Sequence, residues 1–199
     1  ELLFHLGLAT LSIIALVWVA IGRREALVVA IVIPVTILLT LFAAKVPYLS
    51  NNAGPSQLAG SQCNPFFFGT AYQNDSYHEA AGRFAASRDF KRVAIMAPNY
   101  PAGQDALNGF KRGFGKPVAS ETFTKLGQLD YSAELAQIRA AKPEVMYAFL
   151  PGGMGVNFIK QFVAAGLNKE IRLVLPGFGA DQDISRGVGD VMLGINDTA

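Results

Sequence analysis

The amino-acid sequence predicts an α/β fold built on a parallel sheet with flanking helices, preceded by an α-helical transmembrane hairpin. From residue 46 onward, short β-rich runs alternate with helical runs, and glycine or proline separates them. Alternation of this kind implies right-handed βαβ crossovers and a parallel sheet. Before residue 46, two long apolar stretches flank a short polar turn, and each is close to the length that crosses a bilayer as a helix.

The composition shows where the apolar residues are concentrated. Hydrophobic residues make up 51% of the chain and charged residues only 16%, which is more apolar than is usual for a soluble domain. The excess lies in residues 1–45, and the rest of the chain has a nearly balanced charge. Because no basic stripe is present, nucleic acid is not an expected partner.

Residues 1–45 are predicted to form a transmembrane hairpin that binds the lipid bilayer. The apolar stretches run over 2–21 and 26–44, and the turn between them carries Arg23 and Arg24. The positive-inside tendency places this turn in the cytoplasm, so the chain after residue 45 would be periplasmic. The alternative is a pair of buried helices in a soluble protein.

The later elements are predicted from their apolar patterns and their punctuation. Leu135 and Ile138 are three positions apart, which places them on one face of an α-helix. Gly166 is expected to end the last long helix. The predicted strands cover 92–98, 118–124, 145–150, 171–175 and 191–195, and the predicted helices cover 101–114, 131–141 and 155–165. Ligands on parallel sheets bind beyond the carboxyl ends of the strands, so the loops at 99–100, 151–154 and 176–179 are the candidate site.

Three features of the sequence bear on catalysis or metal binding. The glycines after the third strand lack the spacing of a dinucleotide or phosphate loop, and plain turn chemistry explains them equally well. Asp181 and Asp183 are either a metal pair or a solvated loop, and we favour the loop. Cys63 is either a small packed residue or one half of a disulfide whose partner lies elsewhere. We therefore expect no enzyme, no cofactor and no metal.

Four segments resemble successive blocks of one family, in the family's order. They are VPYLSNNAGPSQLAGSQCNPFFFGTAYQND, APNYPAGQDALNGFKRGF, LGQLDYSAELAQIRAAKPEVMYAFLPGGMGVNFIKQF, and AAGL followed by LPGFGADQD. They look like type 1 periplasmic solute-binding proteins of ABC transporters, of the branched-chain amino acid and amide kind. The resemblance implies two Rossmann-like lobes that close on a small ligand and deliver it to an ABC permease. It places part of lobe one at 46–77, lobe two at 78–195 and the start of a return crossing at 196–199.

The resemblance also implies a set of ligand-binding residues. The loop around Ser50 matches the family's loop for a ligand carboxylate, where small residues let backbone N–H groups approach an anion. Tyr100 matches an aromatic residue that closes over the ligand, and Pro151 begins the next cleft loop. The full set of implied ligand-binding residues is Ser50, Asn52, Ala53, Gly54, Thr70, Tyr100, Pro151, Gly152 and Phe178.

The ligand class is left open between several small molecules. Gly177 and Phe178 stand where amino-acid-binding members carry a carboxylate for the α-ammonium group. This departure puts a standard amino acid in doubt, so an amide or an aromatic or aliphatic carboxylate is at least as plausible.

The first 45 residues carry a second resemblance. REALVVAIVIPVTILLTLF, with the turn before it, is similar to a helix pair of resistance-nodulation-division efflux permeases. The alternative function is thus a membrane fragment of a proton-driven efflux permease. The two resemblances meet near residues 44–47, which we interpret as a fusion, either artificial or from a rearranged gene. The expected location is the inner membrane, with the globular part in the periplasm.

Overall fold

The computed structural model describes residues 45–52, 54–192 and 195–198. The predicted transmembrane hairpin lies outside these ranges except for Lys45. Among the described residues, every helix is too short or too polar to cross a membrane. The described residues fall into two compact units, the first drawn from 1–51 and 63–70 and the second from 52–62 and 71–199.

The first unit contains a pair of short parallel strands. Strand β1 is Tyr48–Ser50 and strand β2 is Phe67–Gly69, with Leu49 opposite Phe68. The rings of Tyr48 and Phe67 stack with their centroids 5.8 Å apart. Neither strand was predicted, because three residues are too few to show a period.

The second unit is a five-stranded parallel sheet with helices on both faces. Its strands follow the order β4-β3-β5-β6-β7, and every neighbouring pair is parallel. In chain order the elements are helix α1 Ser76–Ser87, β3 Val93–Pro98, α2 Pro101–Phe114, β4 Ser120–Thr124, α3 Ser132–Ala141, β5 Val145–Ala148, α4 Gly153–Ala164, β6 Arg172–Pro176, α5 Gln182–Val188 and β7 Asn196–Thr198. This confirms the predicted α/β parallel sheet.

The last strand differs from its predicted position. The sequence predicts a strand at 191–195, but a short 3-10 helix covers Gly189–Met192 and the strand is Asn196–Thr198. The residues expected to start a return crossing therefore pair with β6 as an edge strand. Helices α1 and α5 were not predicted.

The core lies in two layers because side chains of a buried strand alternate between the two faces of the sheet. Val93, Ile95 and Ala97 of β3 pack with α1 and α2, whereas Ala94 and Met96 pack with α3, α4 and α5. All six residues of β3 and all four of β5 are buried.

Helices α1 and α2 approach each other at backbone distance. A Cβ atom on Gly109 would lie 2.4 Å from the carbonyl oxygen of Asp75, and one on Gly82 would lie 2.1 Å from that of Phe110. Only glycine fits at these positions. An ion pair of 2.9 Å between Arg112 Nη2 and Asp75 Oδ2 adds a polar link between the two helices.

Candidate functional site

A cleft of about 530 Å³ opens at the carboxyl edge of the five-stranded sheet, and all of its lining belongs to the second unit. This volume lies in the usual range of small-molecule sites. We call it the aromatic cleft, and its lining residues are Asn52, Ala71, Tyr72, Gln73, Asn74, Tyr77, His78, Tyr100, Ala102, Phe149, Pro151 and Phe178. They come from the segment after β1, the segment before α1, the first turns of α1 and α2, and the loops after β3, β5 and β6.

Aromatic rings form a connected array along the cleft. Phe178 meets Tyr77 edge-on at 5.9 Å between centroids and meets Phe149 edge-on at 5.6 Å. Phe149 also stacks on Tyr100 at 6.3 Å, and Tyr72 leans on Tyr77 at 4.6 Å. Such offset and edge-on pairs are the favoured arrangements of aromatic rings. The cleft therefore has walls suited to a flat apolar group.

His78 joins this array as its one nitrogen-bearing ring. Its ring lies 4.8 Å from that of Phe149 and 6.1 Å from that of Phe178, and the residue is 2% exposed. Nδ1 lies 2.5 Å from the hydroxyl oxygen of Tyr147, which is fully buried in β5. Burial lowers the pKa of His78 to about 4, with a smaller opposing effect from Asp75. The imidazole is therefore neutral at neutral pH.

The other titratable groups of the cleft are phenols. Burial raises the pKa of Tyr100, and desolvation together with the neighbouring Tyr72 raises the pKa of Tyr77. All of the side chains lining the aromatic cleft are therefore uncharged at neutral pH. A charged ligand would have to be held there by dipoles and hydrogen bonds.

Three helices begin at this cleft. Tyr77 and His78 lie in the first turn of α1, Ala102 lies in that of α2, and Pro151 stands just before α4. None of these three helices has a side-chain cap at its first N–H groups among the described residues. Asp75 stands at the start of α1 and Glu79 lies in its first turn, whereas the first turns of α2 and α4 carry no acidic residue. The starts of α2 and α4 therefore favour an anion, because a helix N-terminus carries a partial positive charge.

A partly buried hydrogen-bond network fixes the segment that follows Asn52, which lines the cleft. Gly54 N donates to Asn74 Oδ1 at 3.0 Å, and Asn74 N donates to Gly54 O at 2.7 Å. Asp105 on α2, which is 4% exposed, accepts from Asn74 Nδ2 at 3.3 Å and from Ser56 N at 3.3 Å. Hydrogen bonds of this kind offset the cost of burying a carboxylate.

The structure places the predicted site residues in three groups. Four of them line the aromatic cleft: Asn52, Tyr100, Pro151 and Phe178. Gly152 precedes α4 with φ of 61°, and Gly54 is engaged with Asn74; neither lines the cleft. Ser50 and Thr70 lie in the first unit, where Thr70 N donates to Ser50 O at 2.8 Å. Ala53 lies outside the described residues.

Asp181, one of the two acidic residues considered as a metal pair, has a local structural role. Asp181 Oδ1 accepts from Ile184 N at 2.9 Å and so caps α5. Its side chain is thus occupied at the helix start and does not line the aromatic cleft. Cys63 is exposed in the first unit.

Sequence reasoning missed the cleft residues before and within α1. The missed residues are Ala71, Tyr72, Gln73, Asn74, Tyr77 and His78, together with Ala102 in α2 and Phe149 after β5. The predicted strand at 145–150 included Phe149, whereas the observed β5 ends at Ala148, so Phe149 lies just beyond the carboxyl end of the strand. The residues around α1 gave no such signal, because that helix was not predicted.

The arrangement of the sheet and the cleft agrees with a known family. The profile of the family described as periplasmic binding protein matches residues 27–199. The chain belongs to this family. The match begins inside the second apolar stretch, so it overlaps the residues that resemble efflux permeases.

Curated relatives include the Leu/Ile/Val-binding protein homolog 6 of Brucella melitensis and that of Brucella abortus. Each is 27% identical over 155 residues, which cover 75% of this chain and 39% of the relative. The chain thus spans about two fifths of the length of these relatives.

Solved structures of solute-binding proteins of ABC transporters share the fold. One from R. palustris in complex with benzoate has a TM-score of 0.73 and 28% identity, covering 79% of this chain and 44% of that one. One from Rhodopseudomonas palustris BisB5 in complex with 3,4-dihydroxybenzoic acid has a TM-score of 0.68 and 33% identity, covering 78% and 44%.

Proposed function

We propose that this chain is part of the solute-binding component of an ABC importer and that its ligand is an aromatic carboxylate. The observation that carries the proposal is the aromatic cleft, in which six rings surround a space with no ionised side chain. A flat ring would pack on these walls and bury apolar surface. The chain would bind its ligand in the periplasm without catalysis and deliver it to an ABC permease.

The charge pattern favours a carboxylate over an amino acid. The uncapped starts of α2 and α4 offer N–H dipoles to an anion. An α-ammonium group would need an anionic partner or several acceptors, and no carboxylate lines the cleft. The solved relatives in complex with benzoate and with 3,4-dihydroxybenzoic acid support the same class.

A thermal-shift titration of the full chain tests the proposal. Benzoate and 4-hydroxybenzoate should raise the melting temperature, because binding to the folded state adds about 2.7 kcal/mol when the ligand is at 100 times its Kd. Leucine and cyclohexanecarboxylate are the matched comparisons, since one replaces the aromatic acid by an amino acid and the other removes only the aromaticity. A larger shift with leucine than with any aromatic acid would contradict the proposed ligand class.

The apolar sequence of residues 2–21 and 26–44 favours a finer proposal about location. We infer that these residues anchor the chain in the inner membrane, as the hairpin pattern predicts. The full chain should stay in the membrane pellet after an alkaline carbonate wash. The matched variant Ile13→Asp with Val35→Asp places one charge near the middle of each apolar stretch and should release a larger fraction of the chain, because each charge in a bilayer core costs about 3 kcal/mol. Release of the unaltered chain by the wash would contradict the anchor, and would also remove the support for an efflux-permease fragment.

A further inference from the structure

His78 has one ring nitrogen that is bonded and one that is not. Nδ1 is engaged with the Tyr147 hydroxyl at 2.5 Å, whereas Nε2 has no hydrogen-bond partner among the described residues. Since His78 is 2% exposed and lines the aromatic cleft, its small accessible surface belongs to the cleft.

Tyr147 decides which nitrogen carries the proton. Its hydroxyl is fully buried, and within the described residues Nδ1 is its hydrogen-bond partner. A buried hydroxyl that fails to donate loses a hydrogen bond it would make in water. The arrangement that leaves no buried donor unpaired has the Tyr147 O–H donating to Nδ1. In a neutral imidazole the proton then lies on Nε2.

The surroundings of His78 favour an uncharged partner for this N–H. The rings of Phe149 and Phe178 flank it at 4.8 Å and 6.1 Å. A carboxylate would lose its hydration in this apolar part of the cleft, whereas a hydroxyl oxygen loses much less. The carboxylate of the ligand is better placed at the uncapped helix starts. A substituent on the ring of the ligand is then the group that His78 can contact.

We propose that His78 is a specificity-determining residue whose Nε2–H, oriented by Tyr147, donates a hydrogen bond to a hydroxyl oxygen on the ring of the bound aromatic acid. Tyr147 is the positioning residue of the pair. The inference rests on the proposed function, since it names the ring substituent that the same cleft selects.

The test compares ligands that differ by one oxygen. Isothermal titration calorimetry of the full chain with benzoate, 3-hydroxybenzoate and 4-hydroxybenzoate should show one hydroxylated acid binding about fivefold tighter than benzoate, as expected for one net hydrogen bond. His78→Phe keeps a ring of similar size but removes the donor. It should abolish the preference for the hydroxyl, which is measured as the ratio of the Kd for benzoate to the Kd for the hydroxybenzoate on the same variant.

A second variant guards against a folding defect. His78→Phe alone leaves the buried Tyr147 hydroxyl unpaired, so the double variant His78→Phe with Tyr147→Phe removes both partners together. It should fold and bind benzoate without a preference for hydroxybenzoates. Tyr147→Phe alone should reduce the preference and shift the ¹⁵N resonances of the imidazole away from the Nε2–H tautomer, which a purely structural role would not do.

The outcomes separate the two proposals. If the chain binds benzoate and both hydroxybenzoates with equal affinity, the role of His78 is overturned, but the proposal of an aromatic acid as the ligand class still stands. A preference that survives in the double variant does the same. A chain that binds none of the three acids overturns the proposed function together with this inference.

Discussion

The two helical layers of the five-stranded sheet are packed in different ways. On one face, α1 and α2 touch through Gly82 and Gly109, so their backbones meet directly. On the other face, α3, α4 and α5 pack through large buried apolar side chains such as Phe158 and Phe162. Backbone contact fixes a position with little freedom, whereas a packed side chain can be exchanged for another of similar volume.

This difference matches the contribution of each layer to the cleft. Helices α1 and α2 supply Tyr77, His78 and Ala102 to the lining, and both begin at it. The glycine contacts thus set the position of these residues relative to one another. We infer that the sequence of α1 and α2 mainly fixes the positions of the cleft residues, whereas the sequence of α3, α4 and α5 mainly stabilises the fold.

The largest expected effect lies in the second layer. Phe158 is fully buried and meets Tyr131 edge-on at 5.4 Å. Phe158→Ala should lower the free energy of unfolding by about 4 kcal/mol, because it leaves a cavity in a packed core. Urea unfolding followed by circular dichroism measures this loss. The matched control is Phe178→Ala, which removes the same group from a residue that is 41% exposed and should weaken ligand binding more than stability. Equal losses of stability in Phe158→Ala and Phe178→Ala would contradict the distinction between a core residue and a cleft residue.

The next effect is a pH dependence that belongs to the first layer. The pKa of His78 falls from its ordinary 6.5 to about 4 on folding. As the pH drops below 6.5, the unfolded chain takes up a proton that the folded chain does not, so stability falls with pH and the loss is complete near pH 4. It should reach about 3 kcal/mol.

Urea unfolding between pH 7 and pH 4 checks this slope against the double variant His78→Phe with Tyr147→Phe. Subtracting the two profiles removes the carboxylates that both proteins share. An identical slope in the two proteins would show that His78 is not the group responsible.

A smaller effect tests the glycine contacts directly. Gly109→Ala should cost about 2 kcal/mol, because the new Cβ atom meets backbone at 2.4 Å and the helices must separate. In the second layer, Gly187→Ala meets only the side chain of Val156 at 3.0 Å, which can adjust. Gly153→Ala has no neighbour within 4 Å and is the neutral control. Denaturant melts should rank the three in this order. A Gly187→Ala variant that loses as much stability as Gly109→Ala would argue against backbone contact as the cause.

The smallest effect concerns the cap of α5. Asp181→Ala should lower stability by about 1 kcal/mol, because Ile184 N loses its acceptor. Asp181→Asn should retain most of it, since an amide oxygen also accepts at this position. Ligand affinity should not change in either variant, which calorimetry can check. A loss of affinity without a loss of stability would instead place Asp181 in the binding site.

The sequence allowed most of the sheet to be predicted, and the reason is visible in β3 and β5. Both are short runs of apolar residues that are buried on both faces, which is the pattern of a central parallel strand. Helix α1 was missed for the opposite reason. Its buried positions have helical spacing, but His78, Ala81, Gly82 and Ala85 occupy them instead of large apolar residues.

The cleft was predictable only where a residue follows a strand. Tyr100, Pro151 and Phe178 follow β3, β5 and β6, so the rule for carboxyl ends reaches them. The bond between His78 and Tyr147 joins residues 69 positions apart. No local pattern marks such a pair, because the fold alone brings the two side chains together.

The most direct test of the central claim is a photolabelling experiment with 4-azidobenzoate on the full chain, followed by peptide mass spectrometry. We expect the label on residues of the aromatic cleft, on the segment 71–78 or at Phe149 or Phe178. Excess benzoate should suppress it. Labelling confined to other regions, or labelling that benzoate does not suppress, would contradict binding of an aromatic carboxylate in this cleft.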